Sequence, residues 1–152
     1  MVMFTLVAWP APSQAQENRV DYTLTDLSNR DFSNQNLEGT SFAAAEMRDA
    51  NFRGAKLRGT ILTKASFLRA DLTGADLSGA FSDRVTFNQA NLTNVVFTDA
   101  IVSSSSFQDA IITGADFSGS IIDRYQTGQM CKYADGINPI TGVATRDSLG
   151  CR

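Results

Sequence analysis

The sequence predicts an all-β solenoid with a short helical cap at its C-terminal end, and three observations carry that expectation. From Val20 to Arg124 a five-residue pattern recurs without an insertion. The turn-forming residues that end its units segregate with a period of twenty. Beyond Arg124 the pattern stops, and the tail that follows holds both cysteines, Cys131 and Cys151.

Each unit reads small, polar, Leu or Phe, polar, then Gly, Asn or a charge, as in Ala65-Ser66-Phe67-Leu68-Arg69 and Ala75-Asp76-Leu77-Ser78-Gly79. The central positions run from Tyr22 and Leu27 to Phe117 and Ile122, and 20 of the 21 are apolar, Ser82 being the exception. Two residues earlier, every position from Thr40 to Ser120 is Ala, Thr, Ser or Val. A period of five matches neither the 3.6 of a helix nor the 2 of a simple strand. Strict short repeats bury apolar surface only against their neighbours, so no unit is stable alone. If the chain turns a corner every five residues, four units close a square. The central side chain then points inward, with the small residue beside it. Coils stack at about 4.8 Å, so residues twenty apart lie in register, and Leu27, Met47, Phe67, Phe87 and Phe107 form one inner column. The 21 units make about five coils.

The phasing is visible at the corners. One column of last positions reads Asn34, Gly54, Gly74, Asn94, Gly114, and the next reads Gly39, Gly59, Gly79, Asp99, Gly119. These residue types tolerate the positive φ that the third residue of a type II turn requires. The other two columns, Ala44, Lys64, Arg84, Ser104, Arg124 and Asn29, Asp49, Arg69, Gln89, Asp109, contain no Gly. A different turn is expected there.

Ala70-Asp71-Leu72-Thr73-Gly74 and Ala75-Asp76-Leu77-Ser78-Gly79 match the pattern A(D/N)LXX residue by residue. The sequence thus resembles the pentapeptide repeat family over about two thirds of its length. That resemblance implies a right-handed quadrilateral β-helix and implies no particular function. The central and small positions depart from the pattern at three places. Ser82 is polar where the core is expected, and Phe81 before it belongs outside, so either the two exchange places or Ser82 leaves an underfilled spot. Arg30 and Gln35 replace small residues, which predicts an open or splayed first coil with Arg30 reaching to solvent.

A solenoid end must be capped. Residues 125–152 are read as that cap. Thr127 is expected to N-cap a short helix and Gly136 to end it. Ile137 to Gly142 reads as a loop, and Thr145 is expected to cap a last turn through Leu149. The two cysteines suit one disulfide in an oxidising compartment, with paired thiols as the alternative. A bond between them closes a loop of about twenty residues, worth about 3 kcal/mol in the chain-entropy account. The tail, with Cys131-Lys132-Tyr133-Ala134, Asn138-Pro139, Thr141-Gly142 and Ser148-Leu149-Gly150-Cys151, resembles that of lumenal pentapeptide repeat proteins of cyanobacteria and chloroplast thylakoids. It implies a disulfide-bonded cap and a thylakoid-lumen or periplasmic location. Residues 1–15 agree, since an uncharged apolar run precedes Ser13-Gln14-Ala15, as at the end of an export signal. The run is too short to span a bilayer.

Composition excludes some function classes. The net charge is −3 with both signs interspersed, unlike a basic nucleic-acid surface. There is no His, which removes the commonest general base and metal ligand. Asp71, Asp76 and Asp116 fall at outward positions of a convex rod, away from any cleft, so no catalytic residue is assigned. The column Asp31, Asn51, Asp71, Asn91 is read as an amide ladder and not as a metal site, because hard cations need six or more oxygens around one point. Asp49 with Arg69, and Glu38 with Arg58, are expected ion pairs across rungs. Asn91-Leu92-Thr93 matches a glycosylation sequon and is read as a product of the repeat.

One column exceeds this pattern. Ile61, Phe81, Ile101 and Ile121 occupy consecutive outward positions on one face, bordered by Val96. Contiguous exposed apolar surface marks interaction sites, unless the C-terminal tail folds over it. The sequence therefore points to a non-catalytic, monomeric scaffold or protein-interaction module, without cofactor, nucleic acid or membrane insertion. A DNA-mimicking gyrase inhibitor is the first alternative, disfavoured by the short rod and mixed charge. An enzyme is the second.

Overall fold

The computed structural model describes Ala8 and residues 20–152; the expected export signal, apart from Ala8, lies outside the described residues. Residues 20–123 form a β-solenoid, and a tail with two short helices follows. Parallel bridges join each outward residue to the one twenty positions later, as in Asp21↔Ser41, Ser41↔Ile61, Ile61↔Phe81, Phe81↔Ile101 and Ile101↔Ile121. The same hydrogen bonds recur on each side. Phe67 donates to the Ser66-equivalent carbonyl of the next coil, Thr86 O (2.7 Å), Arg69 donates to Asn88 O (3.1 Å), and Ser66 donates back to Ala45 O (3.0 Å). A fourth bond, Ala70 N to Phe67 O (2.9 Å), closes the corner.

Every corner from Leu24 to Gly119 has positive φ at its last position, between 54° at Ala44 and 72° at Gly114. Lys64 (61°), Arg69 (58°), Arg84 (56°) and Gln89 (57°) adopt the same conformation as the glycines. The expected second turn type is therefore absent from the described corners. A left-handed residue other than Gly costs about 1–2 kcal/mol. Leaving that corner would break the rung bonds and withdraw a fully buried side chain, a greater cost.

The interior is a stack of columns. Phe67, Phe87 and Phe107 stack face to face with centroids 5.4 and 5.1 Å apart. Their edges meet neighbouring columns, as between Phe52 and Phe67 (5.4 Å, 72°). Ser82 keeps its inward place with Phe81 half exposed outside, so the two residues do not exchange. The Ser82 hydroxyl is buried and has no hydrogen-bond partner. The corner after it is modified: the Ser105 hydroxyl accepts from Val85 N (2.9 Å) and donates to Ser82 O, standing between the two groups that bond directly at other corners.

The first coil is regular, contrary to the expected splaying. Leu27 N reaches Glu46 O (2.7 Å), and the corners at Arg30 and Gln35 close as elsewhere (3.2 Å each). Arg30 and Gln35 are exposed because they lie on the first described coil, where long side chains can leave the rim.

The cap differs from the expectation at its boundaries. Helix α1 spans Arg124–Cys131, so Arg124 opens the helix and is not a last corner. Asp123 holds the N-cap position, and Thr127 lies within the helix. The carboxylate of Asp123 is turned back to accept from Ser104 N (2.6 Å). α1 stops before Gly136, whose φ of +80° instead allows close packing: a Cβ there would sit 2.8 Å from Gly114 N. Helix α2 spans Thr145–Ser148 behind Ala144, making Thr145 its first residue and not its cap. Cys131 and Cys151 are disulfide-bonded, with Cα atoms 5.5 Å apart. Arg146 clamps the junction, donating to Cys131 O (2.9 Å) and Arg152 O (3.0 Å).

Ser82→Ala removes a buried hydroxyl that bonds nothing, so the variant is expected to be about 1 kcal/mol more stable in chemical denaturation. A loss of stability would show that the hydroxyl is in fact satisfied.

Candidate interaction surface

The outward residue before each central position is often Asp or Asn for a local reason. Its side-chain oxygen accepts the amide two residues on, as Asp71 does from Thr73 (3.0 Å), Asp76 from Ser78 (2.9 Å) and Asn91 from Thr93 (3.0 Å). Asp31 and Asn51 do the same with Ser33 and Arg53. The column Asp31, Asn51, Asp71, Asn91 is thus a series of local Asx turns, and the expected amide ladder does not form. The mechanism explains why a repeat with Asp or Asn here turns reliably.

These bonds also set the electrostatics. At Asp71 partial burial pushes the carboxyl up, but hydrogen bonds from Thr73 and Arg53 outweigh it and hold the group below its ordinary value. Asp21, Asp26 and Asp31 are lowered chiefly by their hydroxyl partners, Thr23, Ser28 and Ser33. A general acid at neutral pH needs the opposite shift. Asp49 pairs with Arg69 through two bonds of 2.8 and 2.9 Å, which lowers the carboxyl and raises the guanidinium. Glu38 does not pair with Arg58. That guanidinium turns instead to Asp76 (3.9 Å), and Arg53 reaches Asp71 (3.0 Å), both on the next coil. Among the described residues no cluster of three acidic, His or Cys side chains could hold a metal.

The apolar column is where the sequence places it. Ile61 is 43% exposed, Phe81 50% and Ile121 61%, with Ile101 half-buried between them. The rungs hold them in register through bridges from Ile61 to Phe81, Ile101 and Ile121. Four rungs give a strip roughly 15 Å long at the strand spacing. Val96 is not part of this surface: it is buried at 6%. The C-terminal tail crosses the adjacent face, where Asn138 bonds to Val95 and Gly114; on that face Val96 and Asp116 (1%) are buried, while the Ile61 column stays exposed. The tail is held there by Asn138, whose buried amide reaches Gly114 O (2.9 Å), Asn94 O and Val95 O (3.3 Å each). Its oxygen accepts from Ile140 N and Thr141 N. The sequence marked Asn138 only as part of the Asn138-Pro139 pair in the tail resemblance, not as the residue that anchors the tail. Ile111, 52% exposed, was also missed, although it breaks a column otherwise made of Asp and Asn.

Comparison with known proteins agrees with this geometry. The profile described as pentapeptide repeats matches residues 25–63, 50–81 and 83–121. A crystal structure of a pentapeptide repeat protein from the Arabidopsis thaliana thylakoid lumen is 46% identical, covering 84% of this chain and 88% of that one, with a TM-score of 0.54. One from Nostoc is 28% identical, covering 70% and 88%, with a TM-score of 0.60. A thylakoid lumenal chloroplast protein of Arabidopsis thaliana is 62% identical over 29 residues, which are 19% of this chain and only 10% of that relative.

Asn138→Ala leaves the solenoid carbonyls Gly114 O and Asn94 O without a partner, while Val95 O keeps its bond from Asp116 N (2.9 Å), and it removes the acceptor of two tail amides. It is expected to cost about 2 kcal/mol in denaturant unfolding, at about 1 kcal/mol for each of the two carbonyls left unpaired. It should also speed hydrogen exchange at Val96. Wild-type stability would show that the tail is held by other contacts.

Proposed function

The chain belongs to the pentapeptide repeat family, and from that premise we propose that it is a non-catalytic, exported scaffold whose apolar column docks a protein partner. The observation that carries this reading is the exposure of Ile61, Phe81 and Ile121 on a rigid face that the tail leaves open. Isolated apolar residues on a surface are ordinary, but four on successive rungs form a contiguous strip. The rod is taken as a right-handed quadrilateral β-helix of about five coils, monomeric and without a cofactor, its α1 cap closed by the disulfide. The lumenal origin of the 46% identical relative and the disulfide support a thylakoid lumen or periplasm as its compartment.

The test is cross-linking in that compartment followed by partner identification, with Ile61→Lys and Ile101→Lys as probes. Both positions face outward, so the variants should remain folded by circular dichroism and lose the cross-linked partner. Retention of the partner by both variants would refute the docking strip. The gyrase reading makes a separate statement, inhibition of DNA supercoiling by the purified chain, and the expected result is none.

A further inference from the structure

The cap treats the four sides of the last coil unequally. Inside the solenoid each central and each corner residue donates its amide to a carbonyl nineteen positions later, as Phe87 does to Ser106 and Gln89 to Gln108 (2.8 Å each). The last coil has no further coil to receive these donors. On one side the chain itself supplies acceptors, Ile121 O for Val102 and the Asp123 carboxylate for Ser104. On two others the tail supplies one each, Asp135 O for Gly114 (2.9 Å) and the Ser148 hydroxyl for Phe117 (3.0 Å). The side Ser106–Asp109 is different. Among the described residues, neither the Phe107 nor the Asp109 amide has an acceptor. The residues that would continue the repeat there, Gln126 and Gly128, are wound into α1.

A groove lies along this edge. Tyr125, Gln126 and Gln129 of α1, with Tyr133 just beyond it, face Ser106–Asp109 across a cavity of about 520 Å³. That is the size range of ligand sites. The Tyr133 hydroxyl reaches Phe107 O (3.4 Å). Partial burial pushes the pKa of this phenol up, as does the nearby Asp109 carboxylate. A strand edge with two donors two residues apart, facing a helix, recognises extended backbone with carbonyls at the same spacing. The lining contains one carboxylate, Asp109, and no cation, which disfavours an acidic segment.

We propose that this groove is a β-augmentation site, in which an extended, non-acidic peptide segment of a partner protein lies along Ser106–Asp109 and accepts from the Phe107 and Asp109 amides. The site is separate from the Ile61 column and does not depend on it.

The test pans the full chain, disulfide intact, against a displayed library of random linear peptides. Enriched peptides are then synthesised and added to isotope-labelled protein. They are expected to slow amide exchange at Phe107 and Asp109 about tenfold or more while leaving Phe87 and Gln89 unchanged. Tyr125→Ala combined with Gln129→Ala should weaken binding about tenfold, the loss expected for an aromatic contact and a hydrogen bond together. Ile61→Lys should leave it unaltered, which separates this site from the proposed docking strip. Failure to enrich any peptide, or peptides that bind without slowing Phe107 and Asp109, would overturn the proposal and leave a solvated edge.

Discussion

The structure depends on the rung hydrogen bonds that tie each coil to the next. Because an amide reaches a carbonyl nineteen positions ahead and another reaches back twenty-one, the chain must turn at the same place in every unit. The turn then fixes which residue points inward, and Phe or Leu at that place fills the interior. Neither element suffices alone: the rungs without the core are exposed strand edges, and the core residues without the rungs have no register. The cost of this arrangement falls at the corners, where side chains as large as Lys64 and Arg84 are held in the left-handed region.

The fold was legible for that reason. Columns such as Leu27, Met47, Phe67, Phe87, Phe107 state the twenty-residue register directly, since a slip of one unit would change face. What sequence reading missed follows from treating residues as carriers of local preference. Lys64 and Arg69 looked unsuited to positive φ, but their preference, of order 1 kcal/mol, is smaller than that of the bonds around them. Arg30 and Gln35 looked too large for a closed coil, but a rim position lets them leave it. The Asp and Asn column looked like a ladder between rungs because stacking is conspicuous in a periodic sequence, while the bond actually made, from Thr73 to Asp71, is local.

The candidate surface was partly legible. Ile61, Phe81 and Ile121 could be placed outside by counting in fives. Val96 obeys the same count yet is buried on the face that the tail crosses, and the tail's path is set by contacts of the aperiodic segment, above all those of Asn138 with Asn94, Val95 and Gly114. Such contacts join residues 24 to 44 positions apart without a repeat to announce them. The cap, not the rod, therefore determines which faces remain open. It crosses one, leaves the Ile61 column free, and leaves the Phe107 edge without acceptors.

The dominance of the rungs over corner preference is open to direct measurement by amide hydrogen exchange. If the rungs decide the conformation, the amides of Lys64, Arg69, Arg84 and Gln89 will be protected as strongly as those of Gly54 and Gly74, since all six donate to the next coil at 2.8–3.1 Å. Markedly faster exchange at the four large corners would mean that their strain opens the rungs locally, and would contradict the account.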